Sequence, residues 1–158
     1  PVDRRGVVFS GQTRAVVATG LTRPHSARLY RGQVWVDNSG YGEVGPLVAG
    51  RFEPFARLPG WTRGLYFHRG IAFVGTSRVI PRYRHYAPGV ACETSEAAVH
   101  VLDLKSGKVL GCMSWPNGNQ IFAIEGVPSA WTGGFPFSEE RQSTGKRRTV
   151  LFFKGLAA

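Results

Sequence analysis

Three polar side chains stand at matched positions of an internal repeat, each just ahead of a segment with strand character: His25, Arg63 and Gln120. An arginine guanidinium offers a planar set of donors that suits a carboxylate or a phosphate, and a histidine can donate, accept or bind a metal. If the repeats surround a common axis, these side chains converge, and the pattern predicts a ligand-binding site. The alternative is that they hydrogen-bond backbone groups at the junctions between repeats, as buried polar side chains usually do.

A second candidate site lies in a basic and aromatic segment that contains Arg82, Tyr83, Arg84 and Tyr86. The segment reads as a loop inserted between two strands of a repeat. Rigid aromatic rings together with arginine are frequent anchors of protein interfaces. The composition therefore predicts a loop that binds a protein partner.

The other reactive residues give little support to catalysis. The sequence places no histidine or acid beside Cys92 or Cys112, and two cysteines are too few for a disulfide framework, so we expect reduced thiols in a cytoplasmic protein. Asp37, Asn38 and Glu43 could offer oxygen ligands to calcium, but these residue types are also usual in turns. We predict no catalytic residue, no metal site and no cofactor.

Charge and hydropathy argue against nucleic-acid and membrane partners. The 158-residue chain carries 20 basic and 10 acidic residues, for a formal net charge of +10. The basic residues are scattered rather than arranged in a stripe, and no nucleic-acid-binding motif accompanies them, which argues against a nucleic-acid partner. No apolar stretch is long enough for a membrane-spanning helix, so we predict no membrane partner.

Repeated strand hairpins give the strongest structural signal. Residues 29–36 and 67–74 both read as a strand end, an Arg-Gly turn and a new strand. A second type of hairpin, with a polar Gly-containing turn, recurs at residues 48–53 and 104–109. Alternation of the two hairpins predicts an all-β, β-propeller-like array of four-stranded antiparallel blades, with a sandwich or an open barrel as the runner-up.

The repeat divides the chain into units. Complete blades are predicted at about 22–58 and 62–115, the second with an insertion at about 78–97; partial units occupy 5–20 and 117–126, and an irregular tail covers 127–158, ending in a strand at 150–153. A closed propeller needs at least four blades. We therefore expect an incomplete array that a missing upstream half completes, as the start at Pro1 favours, that closes by self-association, or that stays open.

The order of motifs over residues 20–125 resembles an uncharacterised bacterial β-propeller family whose longer members sometimes accompany tetratricopeptide repeats. The matching stretches include Arg-Gly-Gln-Val-Trp-Val at 31–36, Leu-Pro-Gly-Trp-Thr-Arg-Gly-Leu at 58–65 and Gln-Ile-Phe-Ala-Ile at 120–124. In that family these motifs lie in the C-terminal half, so the resemblance implies the second half of a propeller. It implies a fold and brings no activity with it.

Together these features predict a binding module for a small ligand or a protein partner rather than an enzyme. The competing interpretation is a propeller hydrolase or lactonase with a metal in its channel.

Overall fold

The computed structural model describes residues 3–128 and the backbone of two later strands, Ser138–Arg141 and Arg147–Val150. The chain forms two compact units, Pro1–Glu125 and Gly126–Ala158. In chain order the strands are β1 (Gly6–Phe9), β2 (Val16–Leu21), β3 (Pro24–Tyr30), β4 (Gln33–Asn38), β5 (Glu43–Val48), β6 (Arg51–Phe52), β7 (Ala56–Arg57), β8 (Trp61–His68), β9 (Ile71–Ser77), β10 (Ala98–Asp103), β11 (Val109–Ser114), β12 (Ser138–Arg141) and β13 (Arg147–Val150). Two 3₁₀ turns accompany them, at Ser39–Tyr41 and Pro81–Tyr86.

Two antiparallel meanders form the centre of the first unit. One sheet has the order β3-β4-β5-β6, with β7 also paired to β5, and the other has the order β8-β9-β10-β11. A hairpin of β1 and β2 precedes them. The predicted all-β class with four-stranded, propeller-like antiparallel sheets is confirmed. The described strands of the first unit form no closed ring, and the insertion joins β9 to β10.

The tight turns of this array use left-handed backbone conformations. Arg31 and Gly32 have φ of 49° and 76°, and Arg69 and Gly70 have φ of 46° and 85°. Two consecutive positive φ angles are the signature of a type I′ turn, whose twist matches that of the strands it joins. Glycine takes this conformation freely, whereas arginine does so at a cost of roughly 1–2 kcal/mol. The Arg-Gly dipeptide therefore marks the first hairpin of each sheet.

The innermost strands β3 and β8 share a bulge at the same place. The register of β3 on β4 shifts between His25 and Arg28, and that of β8 on β9 shifts between Thr62 and Leu65. A left-handed residue lies in each bulge, Ser26 with φ 55° and Gly64 with φ 90°. The Gly64 amide donates to Ser26 Oγ at 2.8 Å. The bulges thus join the innermost strands of consecutive sheets directly.

Two apolar clusters hold the sheets face to face. The cluster between the β3–β7 sheet and the β8–β11 sheet includes Trp35, Val44, Leu65, Val74 and Leu102. The cluster between the first hairpin and the β3–β7 sheet includes Val8, Ala18, Leu21, Val36 and Leu47. The β3–β7 sheet therefore packs against both of its sequence neighbours, as neighbouring blades of a propeller do.

Two sequence predictions need correction. The strand expected at residues 119–124 is not formed: this segment is bound to the end of β9, with the Arg78 amide donating to Asn119 O at 2.9 Å, but it forms no strand ladder. Among the described residues of the first unit, no strand pairs with this segment in a ladder.

The tail is not wholly irregular either, because β12 and β13 pair as a hairpin. Its polar sequence lacks the apolar alternation from which a strand is predicted. Of the strand expected at 150–153, Val150 ends β13 and the rest lies outside the described residues. Across the part of the chain that the structure describes, no helix has both the length and the apolar character to cross a membrane.

A candidate ligand-binding cavity beside the innermost strands

Arg63 projects from the bulge of β8. Its guanidinium carbon lies 4.6 Å from the centroid of the Phe122 ring, within cation–π distance. The backbone at Arg63 passes close to β9, where a Cβ on Gly75 would lie 2.2 Å from Arg63 O. Only glycine at position 75 leaves this space, so Gly75 fixes the path of the backbone that carries Arg63.

A cavity of about 280 Å³ lies next to Arg63, near the lower end of the usual size of a small-molecule site. The side chains that define its chemistry are Trp61, Arg63, Arg78, Tyr83, Tyr86 and Gln120. Two of the three residues that the repeat predicted, Arg63 and Gln120, therefore line one space. The insertion lines the same space through Tyr83 and Tyr86, so the two sites predicted separately meet here.

The insertion is folded rather than loose. Residues Pro81–Tyr86 form a 3₁₀ turn, with the Tyr83 amide donating to Ile80 O at 2.8 Å. Arg23, the residue before β3, holds the C-terminal end of this turn, because its guanidinium carbon stands 4.3 Å from the centroid of the Tyr86 ring. The base of the insertion is tied down by the Val79 amide, which donates to Ser95 Oγ at 2.9 Å.

The outer side of the insertion carries its remaining basic residues. Arg82 and Arg84 are exposed, and the Arg82 guanidinium lies 4.6 Å from the centroid of the Tyr83 ring. Tyr83 is itself 43% exposed. These residues stand where a protein partner could reach them, and their role in partner binding stays a prediction.

His25 lies in a neighbouring cavity of about 590 Å³, together with Arg5, Arg23 and Trp61. Its Nδ1 is 2.9 Å from Arg23 O and 2.9 Å from Ser39 Oγ. A carbonyl oxygen can only accept, so Nδ1 carries the proton of this contact and Nε2 keeps a lone pair in the neutral ring. Burial and the nearby Arg63 guanidinium lower the pKa of His25, which keeps the ring neutral at pH 7.

The structure therefore brings Arg63 and Gln120 together and places His25 on the other side of Trp61. The imidazole and indole centroids are 5.9 Å apart, and the indole lines both cavities. His25 also has the structural role that was its alternative, because Ser39 connects it to the next sheet by donating to Thr62 O at 2.6 Å.

The oxygen-bearing residues considered as calcium ligands are used differently. Asn38 accepts from the Thr22 amide at 2.7 Å and donates to Glu43 Oε2 at 2.8 Å. Asp37 is fully buried, and neither of its carboxyl oxygens has a well-formed hydrogen bond among the described residues. Burial raises the pKa of Asp37 well above its usual range, and the neighbouring Ser26 hydroxyl offsets only part of that rise.

Sequence reasoning did not assign Arg78 or Trp61 to a site. Trp61 falls at a repeat-related aromatic position, which indicates packing between sheets equally well. Arg78 follows directly after β9 and corresponds in the repeat to Gly40, which comes after β4. An arginine in place of a glycine at matched positions could have indicated a functional role for Arg78. The closure of the insertion over the cavity has no such signal, because tertiary contacts far from it in the chain determine its path.

The two antiparallel meanders, of five and four strands, define an all-β protein of propeller-like sheets. Within this class, the chain belongs to the family described as a domain of unknown function (DUF4915), whose profile matches residues 2–133.

No curated protein matches the chain. Two computationally designed proteins of known crystal structure are similar to it. The Ika8 protein is 14% identical with a TM-score of 0.49, over 78% of this chain and 34% of that chain. The Ika4 protein is 13% identical with a TM-score of 0.49, over 96% of this chain and 82% of that chain. The chain thus spans about a third of the length of the Ika8 chain it matches.

Proposed function

We propose that the protein is a binding module whose cavity beside Arg63 takes a small anionic ligand with an aromatic or apolar body. The observation that carries this proposal is the composition of the cavity wall. Arg63 and Arg78 contribute two guanidinium groups, and no acidic side chain is found among the described residues that line the space. Such a wall favours an anion, since an arginine can hold a carboxylate or phosphate with two parallel hydrogen bonds.

The rest of the wall supports an aromatic or apolar ligand body. Trp61, Tyr83 and Tyr86 present ring surfaces, and Val79 and Ile80 add aliphatic surface. Aromatic rings contribute large contact areas and favour offset or edge-to-face packing with other rings. A convergent set of polar groups in a mostly apolar concave wall is typical of small-molecule sites.

The same wall favours binding over catalysis. Among the described lining residues of this cavity, none is a carboxylate, a histidine or a cysteine. The Ser77 hydroxyl is already engaged, accepting from the Ile121 amide at 2.9 Å and donating to Ile121 O at 3.2 Å. A nucleophile needs an adjacent base or a lowered pKa, and this serine lies instead in a junction between two chain segments.

The proposal is tested by titrating the full-length chain with three matched probes: benzoate, phenyl phosphate and the neutral benzyl alcohol. We expect the two anions to bind measurably by isothermal titration calorimetry and the alcohol to bind at least about tenfold more weakly, which is about 1.4 kcal/mol. The Arg63→Gln variant should lose at least about tenfold in affinity for the anions. Arg51→Gln is the matched control, because Arg51 is exposed on β6, outside the cavity.

Two results would contradict the proposal. One is equal affinity for benzyl alcohol and benzoate, which would show that the guanidinium groups do not select charge. The other is an Arg63→Gln variant that keeps both its circular dichroism spectrum and its affinity for the anions. An Arg78→Gln variant gives an independent second measurement, since Arg78 lies on a different strand end.

A further inference from the structure

Three side chains of different chemistry meet at the outer part of the second sheet, away from the cavity. Among the described residues, Glu96, His100 and Cys112 place one carboxylate oxygen, one imidazole nitrogen and one thiol sulfur within 4.8 Å of one another. Glu96 Oε1 stands 3.9 Å from His100 Nε2. No sequence pattern associates these residues, since they come from two strands and the loop before them.

Backbone pairing explains why these side chains share one face. His100 on β10 is the direct register partner of Cys112 on β11, and side chains of directly opposed residues point to the same side of a sheet. Glu96 lies in the loop two residues before β10, and its Oε1 reaches to 3.9 Å from His100 Nε2. The Glu96 amide donates to Pro59 O at 2.9 Å, which fixes the backbone just before β10.

The set has the composition of a zinc site. Thiolate, imidazole and carboxylate are the three ligand types that zinc takes in proteins, and three protein ligands with a water in the fourth position are typical of an open zinc site. With metal–ligand distances of about 2.0–2.3 Å, tetrahedral ligand atoms stand about 3.3–3.6 Å apart. The observed spacings need only small side-chain rotations to reach this, and Cys112 is exposed while Glu96 is partly exposed, so both can move.

The buried member of the set is already oriented. His100 is 3% exposed, and its Nε2 lies 3.0 Å from Thr76 Oγ1. Thr76 Oγ1 also lies 3.4 Å from Ala98 O. The threonine hydroxyl therefore keeps an acceptor when the imidazole nitrogen turns to a metal.

We infer that Glu96, His100 and Cys112 bind a divalent zinc-like metal ion at the outer edge of the second sheet. The ion connects the exposed edge strand β11 to β10 and to the end of the insertion. On binding, the Cys112 thiol releases its proton to solvent and coordinates as the thiolate, and water completes the coordination.

The test uses the full-length Cys92→Ser protein as the parent, so that Cys112 is the single thiol. Dialysis against zinc followed by elemental analysis is expected to give one equivalent per chain, with a melting temperature that rises with zinc concentration. With Co²⁺, the parent should show a thiolate-to-metal charge-transfer absorption. The additional Cys112→Ser change should abolish that absorption and the stoichiometric zinc, and Glu96→Gln should weaken zinc binding at least about tenfold because one ligand is lost.

Three outcomes would overturn the inference. The first is a parent protein that takes up no zinc at micromolar free metal. The second is zinc affinity in the Cys112→Ser variant equal to that of the parent. The third, a Glu96→Gln affinity equal to that of the parent, overturns the assignment of Glu96. Because Cys112 and Glu96 are not core residues, both variants can be confirmed as folded by circular dichroism.

Discussion

Replacing Asp37 by Asn is expected to stabilise the protein increasingly as the pH rises above the unfolded-state pKa of the Asp37 carboxyl. Asp37 is 0% exposed in the first sheet, and burial raises the pKa of its carboxyl well above 3.8. An acid whose pKa is raised on folding supports the folded state below its unfolded pKa and loses that support as the pH rises through the folded pKa. Asparagine has the same shape and never ionises, so the stability of the variant does not fall with rising pH on account of position 37.

The magnitude follows from the linkage between proton binding and folding. Within the window between the unfolded and folded pKa values of Asp37, the free energy of unfolding of the wild type falls by up to about 1.4 kcal/mol for each pH unit relative to the variant. Below pH 4 the Asp37 carboxyl and the amide that replaces it in the variant are both neutral and lie in the same buried surroundings. There the two proteins should differ by no more than about 1–3 kcal/mol, the usual cost of an unsatisfied buried polar group.

Urea unfolding followed by tryptophan fluorescence at several pH values measures this difference. Asp103→Asn is the control of opposite sign: hydrogen bonds from Ser106 and Lys105 lower the pKa of the exposed Asp103, so its support is present at neutral pH and is lost as the pH falls. If Asp37→Asn and the wild type show parallel pH profiles, the carboxyl at position 37 is not held neutral by burial, and the reasoning about its surroundings is wrong.

Two further predictions concern the backbone that positions the cavity. Gly75→Ala should destabilise the protein by about 1–3 kcal/mol and weaken benzoate binding, because the added methyl would lie 2.2 Å from Arg63 O. The control Gly111→Ala should do neither, because a Cβ at that position has no neighbouring atom within 4 Å. Equal urea midpoints for the two variants would exclude the clash. Ser26→Ala should cost about 1–3 kcal/mol, because the part-buried Gly64 amide loses its acceptor at 2.8 Å; unchanged unfolding of this variant would show that the bulges do not depend on that bond.

The sequence predicts local backbone well where a single residue type is required. The Arg-Gly turns were predictable because a type I′ hairpin needs positive φ at both positions, and the repeat shows the dipeptide twice. The repeat predicted that Arg63, Gln120 and His25 would converge, and Arg63 and Gln120 do line one cavity. His25 lines a different cavity, which shares Trp61 with the first, and the volume of that side chain could not be deduced from strand register.

What the sequence could not predict depends on contacts between distant segments. The insertion lines the cavity because Arg23 holds Tyr86 in its middle and Ser95 joins its two ends through Val79, and neither contact has a local signature. The strand expected at 119–124 had the right composition but lacks a partner strand in the described part of the chain. The meeting of His100 with Cys112 depends on the register of β10 on β11, which no turn type at residues 104–108 specified in advance.

Trp61 forms a common wall between two spaces, one beside Arg63 and the other beside His25. A movement of the indole changes the wall of both spaces at once. An occupant of one space that displaces the indole therefore alters the surface offered to an occupant of the other, and a substitution that shortens this side chain removes wall from both.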